Sequence, residues 1–288
     1  MKHKSLAIII IALFLINIVA VAAPTTKELK ENKTTYFDDP VPTWSAGDTW
    51  TYTFSNFNVD YTYGDVKILI DGRIDDFKWT VDDTSGTDYV VKLSGEITAN
   101  SYEIYIPFSS KIIHITGSIK PKLTTLSGTI VFTQSDLEIK DISAELKGII
   151  SAKISPIPFS IPIPFKVTLD ASLSTVFPIF DFPLSDNKFW NLPAIDIESK
   201  INVGGRFGLI KFPFTLTTSY SWIPLAFHCK PKVDVTVEAG IYSAYNISST
   251  FFDLFEYYYA PSVGNLVKIE ATMPNGAVQG ELKSTNYS

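Results

Sequence analysis

This sequence predicts an all-β fold: one large antiparallel sheet closed or folded on itself, as a barrel, a sandwich or a curved half-barrel. Three observations carry that expectation. Apolar residues recur at every second position through long stretches of the 288 residues. Helical spacing is confined to a few short segments. The composition, 45% hydrophobic with 14% aromatic, can bury a sizeable core, and a long chain with alternating strands and little helix builds it from sheet.

The chain opens with "MKHKSLAIIIIALFLINIVAVAAPTT". Lys2 and Lys4 precede an apolar run from Leu6 to Ala23, and Ala20 and Ala22 offer small residues for a signal peptidase. The run also reaches the lower limit of a bilayer span. Residues 1–22 are therefore a signal peptide or an N-terminal membrane anchor, helical in either case. No cysteine follows the run to take a lipid. The localisation expected is extracellular or cell surface, with membrane contact only through this segment if it is retained. Residues 23–42, "APTTKELKENKTTYFDDPVP" with a helical curl possible at Lys27–Asn32, read as a linker.

Residues 43–288 read as a single all-β domain. Strands are expected at 51–54, 64–74, 87–97, 102–107, 111–119 and 126–133. In "DISAELKGII", Ile142, Ala144, Leu146 and Ile150 alternate with Asp141, Ser143, Glu145 and Lys147. "AIDIESKINVGGRFGL" does the same from Ile195 to Leu209, and "KVDVTVEA" with Val233, Val235 and Val237. Further strands are expected at 214–222 and 266–272. Such alternation means one dry and one wet face. The segment 250–260, "TFFDLFEYYYA", is expected to form a short aromatic turn or helix.

The stretch "SPIPFSIPIPFKVTLDASL" (155–173) has Pro156, Pro158, Pro162 and Pro164 inside a strand-like alternation. Ile157, Phe159, Ile161, Ile163, Phe165, Val167, Leu169, Ala171 and Leu173 occupy the odd positions, and every proline an even one. A residue's N–H and C=O point to the same lateral side of a strand, and its neighbours' to the other. Prolines on one parity therefore delete donors along one side only, which predicts an edge strand. A polyproline II segment is the rival for 155–164.

Two segments are related. "TWSAGDTWTYTF" (43–54) and "FDFPLSDNKFWNLP" (180–193) each place a polar turn before a Trp that starts a sheet segment, suggesting two related halves, 43–178 and 179–288. Near the end stands "EYYYAPSVGNLVKIEATMPNGAVQGELKS". The W-x-x-G-D-x-W start and the Y-Y-A-P-x-V-G-x-x-V-K end resemble those of uncharacterised exported β-rich proteins of archaea and bacteria. Some proteins with similar ends resemble lipoprotein-carrier half-barrels, in which a curved antiparallel sheet holds acyl chains on its concave face. Those carriers plug the sheet with helices; this chain has few. The resemblance implies a lipid or other apolar ligand, and the residues placed for it are Phe159, Ile161, Ile163 and Phe165.

Composition narrows the chemistry. Loss of residues 1–22 leaves 22 basic against 30 acidic side chains, so no nucleic-acid partner is expected. Cys229 is the single cysteine, which excludes an intramolecular disulfide. His114 and the neighbours His228–Cys229 lack a second ligand pair at zinc spacing. Asp38–Asp39, Asp75–Asp76 and Asp82–Asp83 read as solvated turns, and "DGRIDD" (71–76) lacks the later oxygen ligands and terminal Glu of a calcium loop. No nucleophile, phosphate or dinucleotide motif occurs. No catalytic residue, cofactor or metal is therefore assigned. The function expected is a structural or binding one, with an extracellular hydrolase using a dispersed acidic pair as the alternative. Sequons at Asn32, Asn246 and Asn286 are candidate glycan acceptors.

Overall fold

The computed structural model describes residues 38–288 apart from 64–65, 109–110, 121–122, 155–158, 193–194, 208–209, 223–224, 251–254 and 274–275. The expected signal or anchor segment, the expected linker up to residue 37, Asn32, Pro156 and Pro158 lie outside the described residues. From there the chain is almost entirely strand: β1 (Thr49–Tyr63), β2 (Val66–Asp83), β3 (Asp88–Phe108), β4 (Lys111–Ile119) and β5 (Thr124–Thr133). Then come β6 (Ile139–Ile154), β7 (Ser160–Phe177), β8 (Lys188–Leu192), β9 (Ile195–Phe207) and β10 (Ile210–Trp222). The last are β11 (Leu225–Val237), β12 (Gly240–Ser249), β13 (Phe255–Ala260), β14 (Asn265–Met273) and β15 (Gly276–Thr285).

All belong to one antiparallel sheet in the order β10-β9-β7-β6-β4-β3-β2-β1-β15-β14-β13-β12-β11-β8, with β5 between β3 and β6. β4 and β5 share one position. β3 pairs with β5 along Asp88–Glu96 and with β4 along Ala99–Phe108. β6 meets the same two strands on its other side. A similar continuity joins β8 to β9 and β10 to β11. From Lys188↔Cys229 to Leu192↔Leu225, and from Ile195↔Trp222 to Phe207↔Ile210, the register never slips. β8 with β9, and β10 with β11, thus share one register as the two arms of one long hairpin.

That hairpin touches both ends of the ladder, because β7 pairs with its β9 part and β12 with its β11 part. The sheet is nonetheless not closed into a barrel, contrary to one of the expected forms. β7 pairs with β9 only along 197–205, whereas β12 pairs with β11 along 227–237. The two pairings sit at different heights on the hairpin, so β10 and β8 remain the edges.

The aromatic segment ending at residue 260 is a strand where described, not a helix. Tyr257, Tyr259 and Ala260 are buried while Glu256 and Tyr258 lie half-buried on the other face. β12 and β14 flank it on both sides. Helical spacing in an aromatic-rich run carries little weight when two ladders compete for its backbone.

The main core cluster draws on both halves of the chain, and Ala99, Tyr102 and Ile119 form a smaller one. Two irregular segments cover the main cluster. In the first, Trp44 packs against Trp50, Tyr89 and Phe132 at centroid distances of 5.1, 5.1 and 5.4 Å. In the second, residues 178–187 lay Phe180 against Tyr257 and Tyr259, and Phe182 against Tyr259. The two covers are paired: Asp39 N–H donates to the Leu184 carbonyl (2.8 Å) and Leu184 N–H to the Asp39 carbonyl (2.9 Å).

The two motifs at the chain ends meet in space. Trp44 Nε1 donates to the Gly264 carbonyl and Trp50 Nε1 to the Val263 carbonyl, each at 2.9 Å, and the Tyr52 hydroxyl donates to the Leu266 carbonyl at 3.0 Å. The turn inside "YAPSVGN" is thus held by the indoles of "WSAGDTW". Gly264 has φ +63°, and a Cβ there would lie 2.5 Å from the Tyr287 ring, so both conformation and space call for glycine. The two end elements thus form a structural clasp between β1 and the β13–β14 turn.

β7 is an interior strand over most of its length, not an edge strand. Its ladder to β6 runs from Ser160↔Lys153 to Ser172↔Asp141 without a slip, through Pro162↔Ser151 and Pro164↔Ile149. An unbroken ladder through two prolines requires their nitrogens to face away from β6. On that other side the ladder to β9 begins only at Phe165↔Gly205. The parity rule thus locates a local edge at 160–164 and leaves the rest of β7 free to pair twice. Replacing Pro162 and Pro164 with Thr is expected to lengthen the β7–β9 ladder, since β9 continues to Phe207. Hydrogen exchange should then show a protected amide at 164, opposite Arg206 in the extended register; rapid exchange there would rule out such zipping.

Candidate functional site

The odd-numbered face of β7 changes character along the strand. Val167, Leu169 and Ala171 are 3%, 2% and 5% exposed. Phe165, Ile163 and Ile161 are half-buried, and Phe159, just before the strand, is 64% exposed. All four residues placed at a ligand site by sequence thus sit in order along one apolar strip that leaves the packed core. Phe165 still touches the core cluster. The strip emerges because β9 stops accompanying β7 beyond Phe165.

Two concavities lie elsewhere. One, of about 410 Å³, sits on the polar face and is lined by Thr129, Ser143, Asp170, Glu198, Lys200 and Thr217 among others. It follows a row of directly opposed residues, Thr129↔Ser143, Ser143↔Asp170, Asp170↔Lys200 and Lys200↔Thr217, across β5, β6, β7, β9 and β10. The other, of about 370 Å³, lies beside Glu256, Glu270 and Gln279. Neither borders Phe159, Ile161, Ile163 or Phe165.

The side chains able to do acid–base chemistry are distributed among separate small networks. On β3 and β4 the Tyr105 hydroxyl donates to Glu103 (2.6 Å), His114 Nε2 lies 3.2 Å from the same carboxylate, and the Tyr105 and His114 rings stack at 4.3 Å. The Tyr105 and His114 contacts hold the Glu103 carboxyl below its ordinary range. On β8 and β11 the His228 ring stacks on Phe189 at 4.1 Å. Burial, with the Lys230 charge, lowers the His228 pKa and favours its neutral form. Cys229 is fully buried and its thiol is pushed up to about 12, chiefly by burial, which makes it a packing residue rather than a nucleophile. Among the described residues no group of three or more His, Cys, Asp or Glu is arranged to hold a metal ion.

The acidic pairs separate as well. Asp39 joins Lys232 (2.5 Å) and the Tyr245 hydroxyl (2.6 Å). Asp75 binds Arg73, Asp76 binds Lys283, and Asp82 binds Lys92. The Asp83 carboxylate accepts from Ser85 N–H and Oγ. Two of the sequon asparagines have structural uses: Asn286 Oδ1 accepts from Thr49 N–H (2.6 Å) and its Nδ2 donates to the Gly47 carbonyl, while Asn246 Nδ2 donates to Glu256 and Tyr258. A glycan on either nitrogen would displace these contacts.

What fold and site define is a class: a single-sheet, all-β protein whose packed core opens along β7 into an apolar strip. No family model, no curated protein and no solved structure matches this chain.

Proposed function

We propose that this chain is an exported or cell-surface β-protein with a non-catalytic binding role. It holds the acyl chain of a lipid, or another apolar ligand, against Phe159, Ile161, Ile163 and Phe165 on a curved sheet that stays open at this end. The observation that carries the reading is the exposure gradient along β7, from 2% at Leu169 to 64% at Phe159. Apolar side chains in an unbroken strip, half-covered by the protein itself, gain by burying the remainder against a ligand. The export segment at Leu6–Ala23 supports the location, and the dispersal of His114, His228 and the acidic pairs into separate networks supports a non-catalytic role.

The test is native mass spectrometry of the exported protein, with an Ile161→Asp, Ile163→Asp variant beside it. The expected result is a lipid-sized adduct on the wild type that the variant lacks. A clean apo mass for protein folded in the presence of membranes would overturn the proposal. Both residues are half-exposed, so the variant should retain its fold, which circular dichroism checks.

A further inference from the structure

The outer face of the β6–β7 hairpin carries exposed apolar residues fringed by lysines. Ile149 is 42% exposed and sits at the polar parity of β6, opposite Pro164, which is exposed too. Leu123, 45% exposed, accepts the Ile149 N–H through its carbonyl at 3.1 Å. Pro162, also exposed, extends the patch along β7.

Around it stand Lys147 and Lys166, with side chains 60% and 56% exposed, and the exposed Lys153 and Lys120. Glu145 is the acid within this group and pairs with both Lys147 (3.5 Å) and Lys166 (2.6 Å). Lys153 and Lys120 have no ion-pair partner among the described residues. The acids nearest along the ladder are two strands away on β3: Glu96, across Thr125 from Lys147, and Glu103, across Thr116 from Lys153. Glu103 is already engaged by Tyr105 and His114. The opposite end of the same sheet bears Asp82, Asp83, Asp88, Asp136 and Glu138.

We propose that this hairpin face docks on the surface of an anionic lipid bilayer. Long lysine stems around a protruding apolar patch are what such a surface selects, the ammonium groups meeting headgroup charge while the patch enters the acyl boundary. The cations collect here although the chain as a whole has a net charge of −6. That local reversal gives the docking face its charge complementarity and orients the molecule, acidic end outward. The docking surface lies on the outer face, which β6 supplies with odd-numbered and β7 with even-numbered residues, and does not depend on the odd-numbered β7 strip holding a ligand.

The test uses the full chain carrying Ser160→Cys labelled with an environment-sensitive nitrobenzoxadiazole. Cys229, buried with a raised thiol pKa, does not compete for the label. With vesicles of phosphatidylcholine and phosphatidylglycerol the emission should shift to the blue, and much less with phosphatidylcholine alone. The shift should weaken with added salt. Replacing Lys147, Lys153 and Lys166 with Gln should weaken the response about a hundredfold, at roughly fivefold per lysine. Ile149→Ser with Leu123→Ser should reduce the shift without changing its salt dependence. These variants touch exposed side chains and leave the N-terminal apolar segment intact, so any anchoring through that segment stays constant. Equal shifts with both vesicle types, or no effect of the Lys→Gln set, would overturn the proposal. So would a shift that rises with protein concentration in the absence of vesicles, as a second copy on the patch would produce.

Discussion

Trp50→Ala is expected to lower the free energy of unfolding by about 4 kcal/mol, measured by urea denaturation and read out by near-ultraviolet circular dichroism. Trp50 is fully buried, and its indole packs on Trp44 and Tyr287. Truncation removes that packing, opens a cavity and leaves the Val263 carbonyl without its indole donor. A domain whose total stability is about 5–15 kcal/mol loses much of it in one step. Trp190 supplies the internal contrast. It is buried and stacks on Phe227 at 5.7 Å, but its Nε1 has no hydrogen-bond partner among the described residues. Trp50→Phe should therefore cost more than Trp190→Phe, because only the first change orphans a carbonyl, while the second removes a buried donor that has no acceptor. Equal costs would show that the indole-to-carbonyl bonds add nothing beyond packing. The same contrast marks how the second tryptophan turn departs from the first.

Much of the sheet is legible in the sequence because a strand with one dry face must alternate. The even positions of β6, Ala144 and Leu146, are buried as the pattern requires, and so are Val167 and Leu169 on β7. The parity of the prolines also predicts which side of β7 loses its donors. What parity does not reveal is the partner on the other side. β9 comes from the next half of the chain, and nothing in 155–173 encodes that it arrives to pair from Phe165 onward. Non-local pairing also hides the closure of the core: Trp44 and Trp50 find their acceptors more than 200 residues away. The docking patch did leave a local signal, Ile149 standing at the polar parity of an otherwise regular alternation. Leu123 gave none, because it joins the patch only through the break between β4 and β5.

An ionic contact that no pattern announces ties the first cover of the core to β11, and removing Asp39 should show how much it contributes. Its carboxylate accepts from the Tyr245 hydroxyl and pairs with Lys232, whose ammonium also lies 4.7 Å over the Tyr245 ring. Its backbone pairs with Leu184. Asp39→Ala leaves the Tyr245 hydroxyl with only the longer contact to the Leu184 carbonyl at 3.3 Å, and strands a partly buried ammonium. Both side chains of the ion pair retain about a quarter to a third of their exposure, so the cost is smaller than for a fully buried pair, about 2 kcal/mol. Lys232→Met should cost less, because its thioether chain can still cover the Tyr245 ring and Asp39 keeps the tyrosine hydroxyl as a donor. A double-mutant cycle between Asp39→Ala and Lys232→Met is expected to give a coupling of about 1 kcal/mol. Since Asp39 precedes β1 and Lys232 lies in β11, a coupling of that size would measure how far the first cover is fastened to the second half of the sheet. A coupling near zero, with Asp39→Ala still destabilising, would transfer the fastening to the Tyr245 hydroxyl alone, and Tyr245→Phe should then reproduce the Asp39→Ala loss.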